Sequence, residues 1–425
     1  MTARVPTSAT AEIAAEPLGT WFRNVPDSAL TVGAISQAGW RVTDLLLPTL
    51  TLRRSALDHN LALFARWCGD NGVSHAPHGK TTMAPQLFDA QLAAGVWAIT
   101  AATVAQARLM RRHGVPRVLL ANEVVDEPGL RWLAAEVSAG FDAYVLADSV
   151  AGIERMERTL AEAQATRTVP VLLELGVHSG RGGARSEADA LAAAERLTAS
   201  GHLALAGVEC FEGVFPQDRA DRSLRRVDGF LADLAGLLAE LDQRGLFQDR
   251  EEIILTAGGS GYPDRVVAAF QRMSPLSRPV RCVVRSGGYV THDHGLLERC
   301  SPLSASARNP LGVLRPALEL WGHVLSTPEP GLAICGFGRR DAPYDADLPI
   351  PIARLAPDGT RQPAPDARVD KLNDQHAFLS HTSDLAVGDV LVFGVSHPCT
   401  AFEKWPLIPV LDDADRVVDA IRTYF

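Results

Sequence analysis

Between about residue 55 and residue 290 the chain alternates short β-branched or apolar runs with longer Ala/Leu/Arg-rich stretches of helical spacing. Eight of the runs read as strands: Val73–Pro77, Trp97–Ala101, Arg117–Ala121, Phe141–Ala147, Val169–Leu175, Leu203–Cys210, Glu252–Ala257 and Arg281–Arg285. Helical patterns such as Asp218–Arg244 separate them. Eight strands separated by helices predict a (β/α)8 TIM-type barrel, an α/β fold whose working residues sit at the carboxyl ends of the strands and in the loops that follow.

Past about residue 310 the texture changes. Apolar runs (Ala317–Leu325, Leu332–Phe337, Asp389–Val395) are broken by Pro/Gly/Asp clusters such as Asp341–Pro349 and Ala356–Asp366, a pattern that predicts a mostly antiparallel β domain. The expected division is an N-terminal extension over residues 1–45, a barrel over 46–305 and a β domain over 306–425. The extension is too short for a domain and is expected to pack on the β domain or on a partner subunit. A chain of 425 residues with 47% hydrophobic and 21% charged side chains can bury large cores, which excludes wholesale disorder. Its 50 acidic against 41 basic side chains, net −9, disfavour nucleic acid as a partner but leave room for an anionic cofactor in one local pocket. The six cysteines are dispersed with no CxxC pair, and no export signal or long apolar span is visible, so a cytoplasmic setting away from membranes is expected.

The first strand ends in His75-Ala76-Pro77-His78-Gly79-Lys80-Thr81-Thr82. Most lysines are solvated, but one at a barrel strand's carboxyl end faces the mouth, where desolvation makes the amine nucleophilic. Lys80 is therefore a candidate for Schiff-base chemistry. Strand seven ends in Thr256-Ala257-Gly258-Gly259-Ser260-Gly261 and strand eight in Arg285-Ser286-Gly287-Gly288-Tyr289. A Gly-rich turn alone is weak evidence, yet a phosphate site after strand seven recurs in barrels, built from backbone N–H groups. A lysine facing two such turns suits an aldehyde cofactor that bears a phosphate, and pyridoxal phosphate is the economical choice. After strand five, Arg181 stands among glycines and could bond a phenolic oxygen or a carboxylate, or only loop carbonyls. In the β domain, His397 and Cys399 follow an apolar strand; alternate residues of an extended segment share a side, so the pair could hold one metal ion and leave positions open. A buried core cysteine beside an incidental histidine has the same spacing. Asp374-Gln375-His376 offers a further acid/base group.

Together these residues resemble the type III pyridoxal-phosphate fold, alanine-racemase-like, in its D-serine dehydratase/D-threonine aldolase branch. The resemblance rests on Pro77-His78-Gly79-Lys80-Thr81, Ala121-Asn122-Glu123, Arg181, Gly258-Gly259-Ser260, Gly288-Tyr289-Val290 and His397-Pro398-Cys399, over about residues 45–405. It implies that Lys80 holds the cofactor's aldehyde, Arg181 contacts its ring oxygen, the Gly258 and Gly259 amides bind phosphate and Tyr289 lines it. His78, Thr256 and Ser260 join this cofactor-binding set. His397 and Cys399 would hold a divalent metal, zinc foremost, in a homodimer. Three features depart from the pattern: Ala76 where many relatives carry Arg, Phe211 where an aromatic hydroxyl is common, and the segment Gly338–Tyr344. Deaminase-like members with an extended N-terminus look nearest.

The implied activity is metal-assisted β-elimination of water from D-serine or another D-β-hydroxy amino acid, giving keto acid and ammonia, with Lys80 and His376 as the catalytic acid/base groups. The alternative is D-threonine aldolase-like cleavage of the Cα–Cβ bond; such aldolases tend to present Asp where this chain has Cys399. A racemase would need a second base for which no residue stands out. A non-catalytic pyridoxal-phosphate-binding barrel would lack the β domain.

Overall fold

The computed structural model describes residues 8–247, 249–307, 309–381 and 384–425. Residues 1–7 of the expected extension lie outside these. The barrel strands fall where the apolar runs place them: β2 (Ser74–His75), β3 (Ile99–Ala101), β4 (Arg117–Glu123), β5 (Asp142–Ala147), β6 (Val169–Leu175), β7 (Leu203–Cys210), β8 (Ile253–Ala257) and β9 (Val280–Val284). All pair in parallel in the order β2-β9-β8-β7-β6-β5-β4-β3. The sheet curls until its end strands meet, through the bridge His78↔Thr100 and the bond from Trp97 N to His75 O.

Helices cover the outer face and bury an apolar stripe against it. The helix Asp221–Gln243 buries Val227, Leu231, Leu234, Leu238 and Leu241, spaced three or four apart, and leaves its charged residues in solvent. Inside the barrel, eight side chains in the strand regions form a separate packed layer: Ala76, Ala98, Leu119, Leu146, Leu172, Ala206, Ile254 and Val283. Small residues opposite large ones fill the interior, so the barrel is plugged and only its mouth is open to chemistry.

The second sheet is mainly antiparallel and begins early in the chain. Thr49–Arg53 (β1), within the span expected for the barrel, pairs with β10 (Leu318–Glu329) and β17 (Leu407–Leu411). The remaining strands are β11 (Leu332–Cys335), β12 (Ile350–Leu355), β13 (Arg361–Pro363), β14 (Arg368–Leu372), β15 (Ala377–Ser380), β16 (Val390–Gly394) and β18 (Val417–Arg422). A half-buried ion network ties β1 into this sheet: Arg53 and Arg361 each contact both Glu319 and Asp415 at 2.6–2.9 Å. Ile13, Phe22, Val32, Ile35 and Val42 of the extension join Trp321, Val392, Leu407 and Val417 in one apolar cluster, so residues 8–45 pack on the β sheet. Among the described residues no helix is long and apolar enough to cross a membrane.

Candidate active site

The turn after β2 carries Lys80. It packs on β3 and the helix that follows: a Cβ at Gly79 would lie 2.8 Å from Ile99 Cγ2 and 2.6 Å from Met110 Cε, so a side chain there would force its neighbours to shift. The same turn abuts the one after β9, where a Cβ at Gly287 would meet His78 O at 2.6 Å. Lys80 opens onto a cavity of about 260 Å³ lined by His78, Glu174, Arg181, Gly258 and Arg285, among others. Burial lowers the Lys80 ammonium pKa; Cys399 opposes this, and Arg181 and Arg285 add to it. His78 is held neutral by burial, with the charges of Lys80, Arg285 and Arg181 acting the same way, and its Nδ1 has no partner among the described residues.

The Gly-rich turns converge as phosphate binding requires. Ser286 Oγ donates to Gly259 O (2.8 Å) and Gly288 N to Ser260 Oγ (3.0 Å), stitching the two turns together. The amides of Ser260, Gly261 and Gly287 donate to nothing among the described residues. The Gly259 amide instead donates to buried Glu212 Oε1 (2.8 Å), and Glu212 Oε2 has no partner among the described residues. Gly258 lies at φ 142°, in a conformation that side-chain-bearing residues rarely adopt.

Other expected members of the set stand elsewhere. Tyr289, expected to line the cofactor, turns its ring away: it packs on Phe64 (4.5 Å) and His75 (4.8 Å), and its hydroxyl accepts from Gln91 Nε2. The turn through Gly287–Gly288 redirects the chain, and the large ring fills the apolar layer behind β2. Thr256 is buried, its hydroxyl donating to Val283 O and accepting from Arg285, with no part in the cavity wall. His376 is exposed in the turn between β14 and β15 and does not line the cavity.

Arg181 does face the cavity. Arg185 takes up the loop carbonyls of Gly180, Arg181, Gly182 and Gly183, which leaves Arg181 stacked 4.3 Å over the Phe211 ring and 3.9 Å from Glu174. Sequence reasoning gave no role to three residues of the wall. Arg285 donates to Glu209 (2.6 Å) in a fully buried pair. Glu123 and Glu174 converge on Gly182, where a Cβ would lie 2.8–3.2 Å from their carboxyl oxygens. Burial, then Glu209 and Glu123, push the Glu174 carboxyl well above the usual carboxylate range. A charged residue at a barrel strand's carboxyl end was the signal for each. A larger cavity of about 620 Å³, between the loop after β6 and the helix Asp221–Gln243, holds neither Lys80 nor a Gly-rich turn.

The β domain reaches the turn that carries Lys80. Cys399 Sγ lies 3.4 Å from Thr81 Oγ1, next to Lys80. His397 is extended, but Pro398–Thr400 forms a 3-10 turn, so the pair converges by a turn and not by strand alternation. Burial opposes charge on both groups. Their mutual hydrogen bond and opposite charges outweigh it, holding His397 up to about 9 and Cys399 below its usual range. His397 Nδ1 lies 2.6 Å from Asp345 Oδ2, and Asp345 Oδ1 accepts from Thr400 Oγ1 (2.7 Å). Among the described residues no group of three His, Cys, Asp or Glu is arranged to hold a metal.

Comparison with known proteins agrees with this geometry. Residues 52–244 match the alanine racemase N-terminal domain model and residues 317–411 a serine dehydratase domain model. A D-threonine aldolase from Arthrobacter sp. is 25% identical over 333 residues, covering 78% of this chain and 79% of the relative. The crystal structure of D-threonine aldolase from Filomicrobium marinum superposes with a TM-score of 0.76 at 21% identity, over 91% of this chain and 96% of that one. A cysteine-to-alanine mutant of D-threo-3-hydroxyaspartate dehydratase, solved in a metal-free form, gives 0.71 at 20% identity over 91% and 99%. With both domain models matched in order and the architecture shared over nine-tenths of the chain, the fold is the alanine-racemase-like, type III fold, and the chain is similar to the pyridoxal-phosphate enzymes built on it.

Proposed function

We propose that the chain is a pyridoxal-phosphate-dependent lyase that removes water from a D-β-hydroxy amino acid, D-serine foremost, leaving keto acid and ammonia. The observation that carries this reading is the meeting of two domains at the Lys80 turn: Thr81 of the barrel touches Cys399 of the β domain, the residue that pairs with His397. The Lys80 turn and its neighbours suit the cofactor in three ways: a lysine whose charge is disfavoured, amides on two stitched glycine turns that donate to nothing among the described residues, and positions where a Cβ has no room. Lys80 would hold the aldehyde and the Ser260, Gly261 and Gly287 amides the phosphate. Bound there, the cofactor would supply a sink for negative charge at the substrate's α-carbon.

The chain's own groups then divide the work. Lys80 Nζ, in a site that disfavours its charge, takes the α-proton. Arg181 and Arg285 place positive charge along the cavity wall, and Arg285 is fixed by Glu209 and Thr256. His397 and Cys399 offer an imidazole nitrogen and a thiolate, a donor pair suited to zinc that leaves positions open. A divalent ion there would be a Lewis acid for the β-hydroxyl. A homodimer in a reducing compartment completes the proposal; all six cysteines are free thiols.

Retro-aldol cleavage is the second reading, favoured by the names of the Arthrobacter and Filomicrobium relatives. It needs a base at the β-oxygen; His376, expected as an acid/base group for the elimination, is exposed and outside the cavity wall, so it serves neither reaction there. A D-amino-acid panel, assayed with and without chelator, separates the two. The proposal expects pyruvate and ammonia from D-serine and 2-oxobutanoate and ammonia from D-threonine, with zinc and turnover lost in Cys399→Ala but cofactor absorbance kept. Glycine and acetaldehyde as the dominant products from D-threonine would overturn it.

A further inference from the structure

We propose that Asp345 is a positioning residue of the metal site: its carboxylate fixes the His397 imidazole so that Nε2 turns toward Cys399, and it does so without binding the ion itself. The inference rests on the reading that His397 and Cys399 hold a metal, and deepens it.

The geometry is that of an outer carboxylate behind a metal-binding histidine. Asp345 Oδ2 is 2.6 Å from His397 Nδ1, so Nε2 is the ring nitrogen left for a metal ion. A carboxylate on the far nitrogen sets the tautomer and raises the ring's donor strength. Thr400 Oγ1 donates to the second carboxyl oxygen at 2.7 Å, so the carboxylate bridges both ends of the His397–Thr400 turn.

The loop that carries Asp345 is anchored at both ends. At its start Asp341 is buried: its carboxylate accepts from Gly338 N (2.9 Å), Arg23 (2.8 Å) and Gln375 (2.7 Å), and its carbonyl accepts from Trp405 Nε1 (2.9 Å). At its end Ser396 Oγ donates to Asp347 O and accepts from Asp347 N. This loop includes the segment Gly338–Tyr344 that departs from the aldolase pattern, and a rigid support for His397 gives that departure a purpose. Among the described residues no third side chain joins His397 and Cys399 in an arrangement that could hold a metal, so Asp345 acts through the histidine.

The test is zinc affinity of the full chain, loaded with cofactor and stripped of metal, measured by competition with a chromophoric chelator. Cobalt spectra of the same proteins report whether the thiolate still ligates. Asp345→Ala should weaken zinc roughly 10- to 100-fold, the usual cost of losing such a partner, while the cobalt–thiolate band persists. Asp345→Glu should recover most of the loss. Thr400→Val, which spares the Asp345–His397 bond, should change affinity little. Should the alanine variant not fold, Asp345→Asn, which keeps the shape, carries the same expectation of weaker zinc. Wild-type affinity in the Asp345 variants, with zinc binding lost in Cys399→Ala, overturns the inference and leaves the metal reading standing. A wild-type protein that binds no zinc overturns both.

Discussion

Gly287→Ala is the sharpest single perturbation of the site. The position is not conformationally special: its φ is −100°, which alanine adopts freely. The whole cost is contact. A Cβ would lie 2.6 Å from His78 O and 2.9 Å from His78 Cβ, where ordinary contact begins at 3.4 Å, and the nearest atom belongs to the backbone and cannot rotate aside. The turn after β9 must therefore move away from the turn that carries Lys80. Inserting one methyl into a packed site of this kind costs about 1–3 kcal/mol. The two turns meet again when the cofactor's phosphate and aldehyde are held together, so that strain should appear as roughly 5- to 150-fold weaker pyridoxal phosphate binding. Equilibrium titration of apoprotein, followed by absorbance, gives the number. Gly236→Ala is the control: it lies on the exposed face of the helix Asp221–Gln243 with open space at its Cβ, and should gain about 0.5–1 kcal/mol of stability with no change in cofactor affinity. Cofactor affinity in Gly287→Ala equal to wild type would refute the claim that the two turns form one binding unit.

The buried Glu209–Arg285 pair should behave as a unit: Glu209→Gln alone is expected to cost about 3–5 kcal/mol in denaturant unfolding, because the guanidinium is left buried and unpaired. Replacing both, as Glu209→Leu with Arg285→Met, should restore most of that stability yet still lower cofactor affinity, since Arg285 lines the cavity. Asp415 predicts an acid limb of stability. Burial raises its pKa, but the bonds from Arg361 and Arg53 outweigh it, so the folded pKa lies below the unfolded one. Its contribution is then present above the unfolded pKa, about 4, and is lost as pH falls through the folded value. The stability gap between wild type and Asp415→Asn should shrink between pH 6 and pH 3; a constant gap contradicts the assignment.

What could be read from the chain alone followed local chemistry. The barrel strands were legible because each apolar run is short, buried on both faces and followed by a helical stripe. Lys80 and the turns at Gly258 and Gly287 were legible because strand ends are where barrels place such groups. Asp345 was not, because its partner lies 52 residues on and neither segment is periodic. The sheet membership of β1 was hidden for the same reason: Leu52 pairs with Leu318 and Val410, and no local pattern announces so distant a neighbour. Tyr289 shows the converse limit. Its position after a Gly-rich turn suggested the cavity, but two glycines free the chain to turn, and burying an aromatic ring against Phe64 decides its direction.

The most direct test of the account is covalent. The chain has three lysines, Lys80, Lys371 and Lys404, so borohydride reduction of the cofactor-loaded protein followed by peptide mapping gives an unambiguous answer. The account predicts a single phosphopyridoxyl group, on Lys80, in a protein that is yellow before reduction. A label on Lys371 or Lys404, or none on loaded protein, would contradict it.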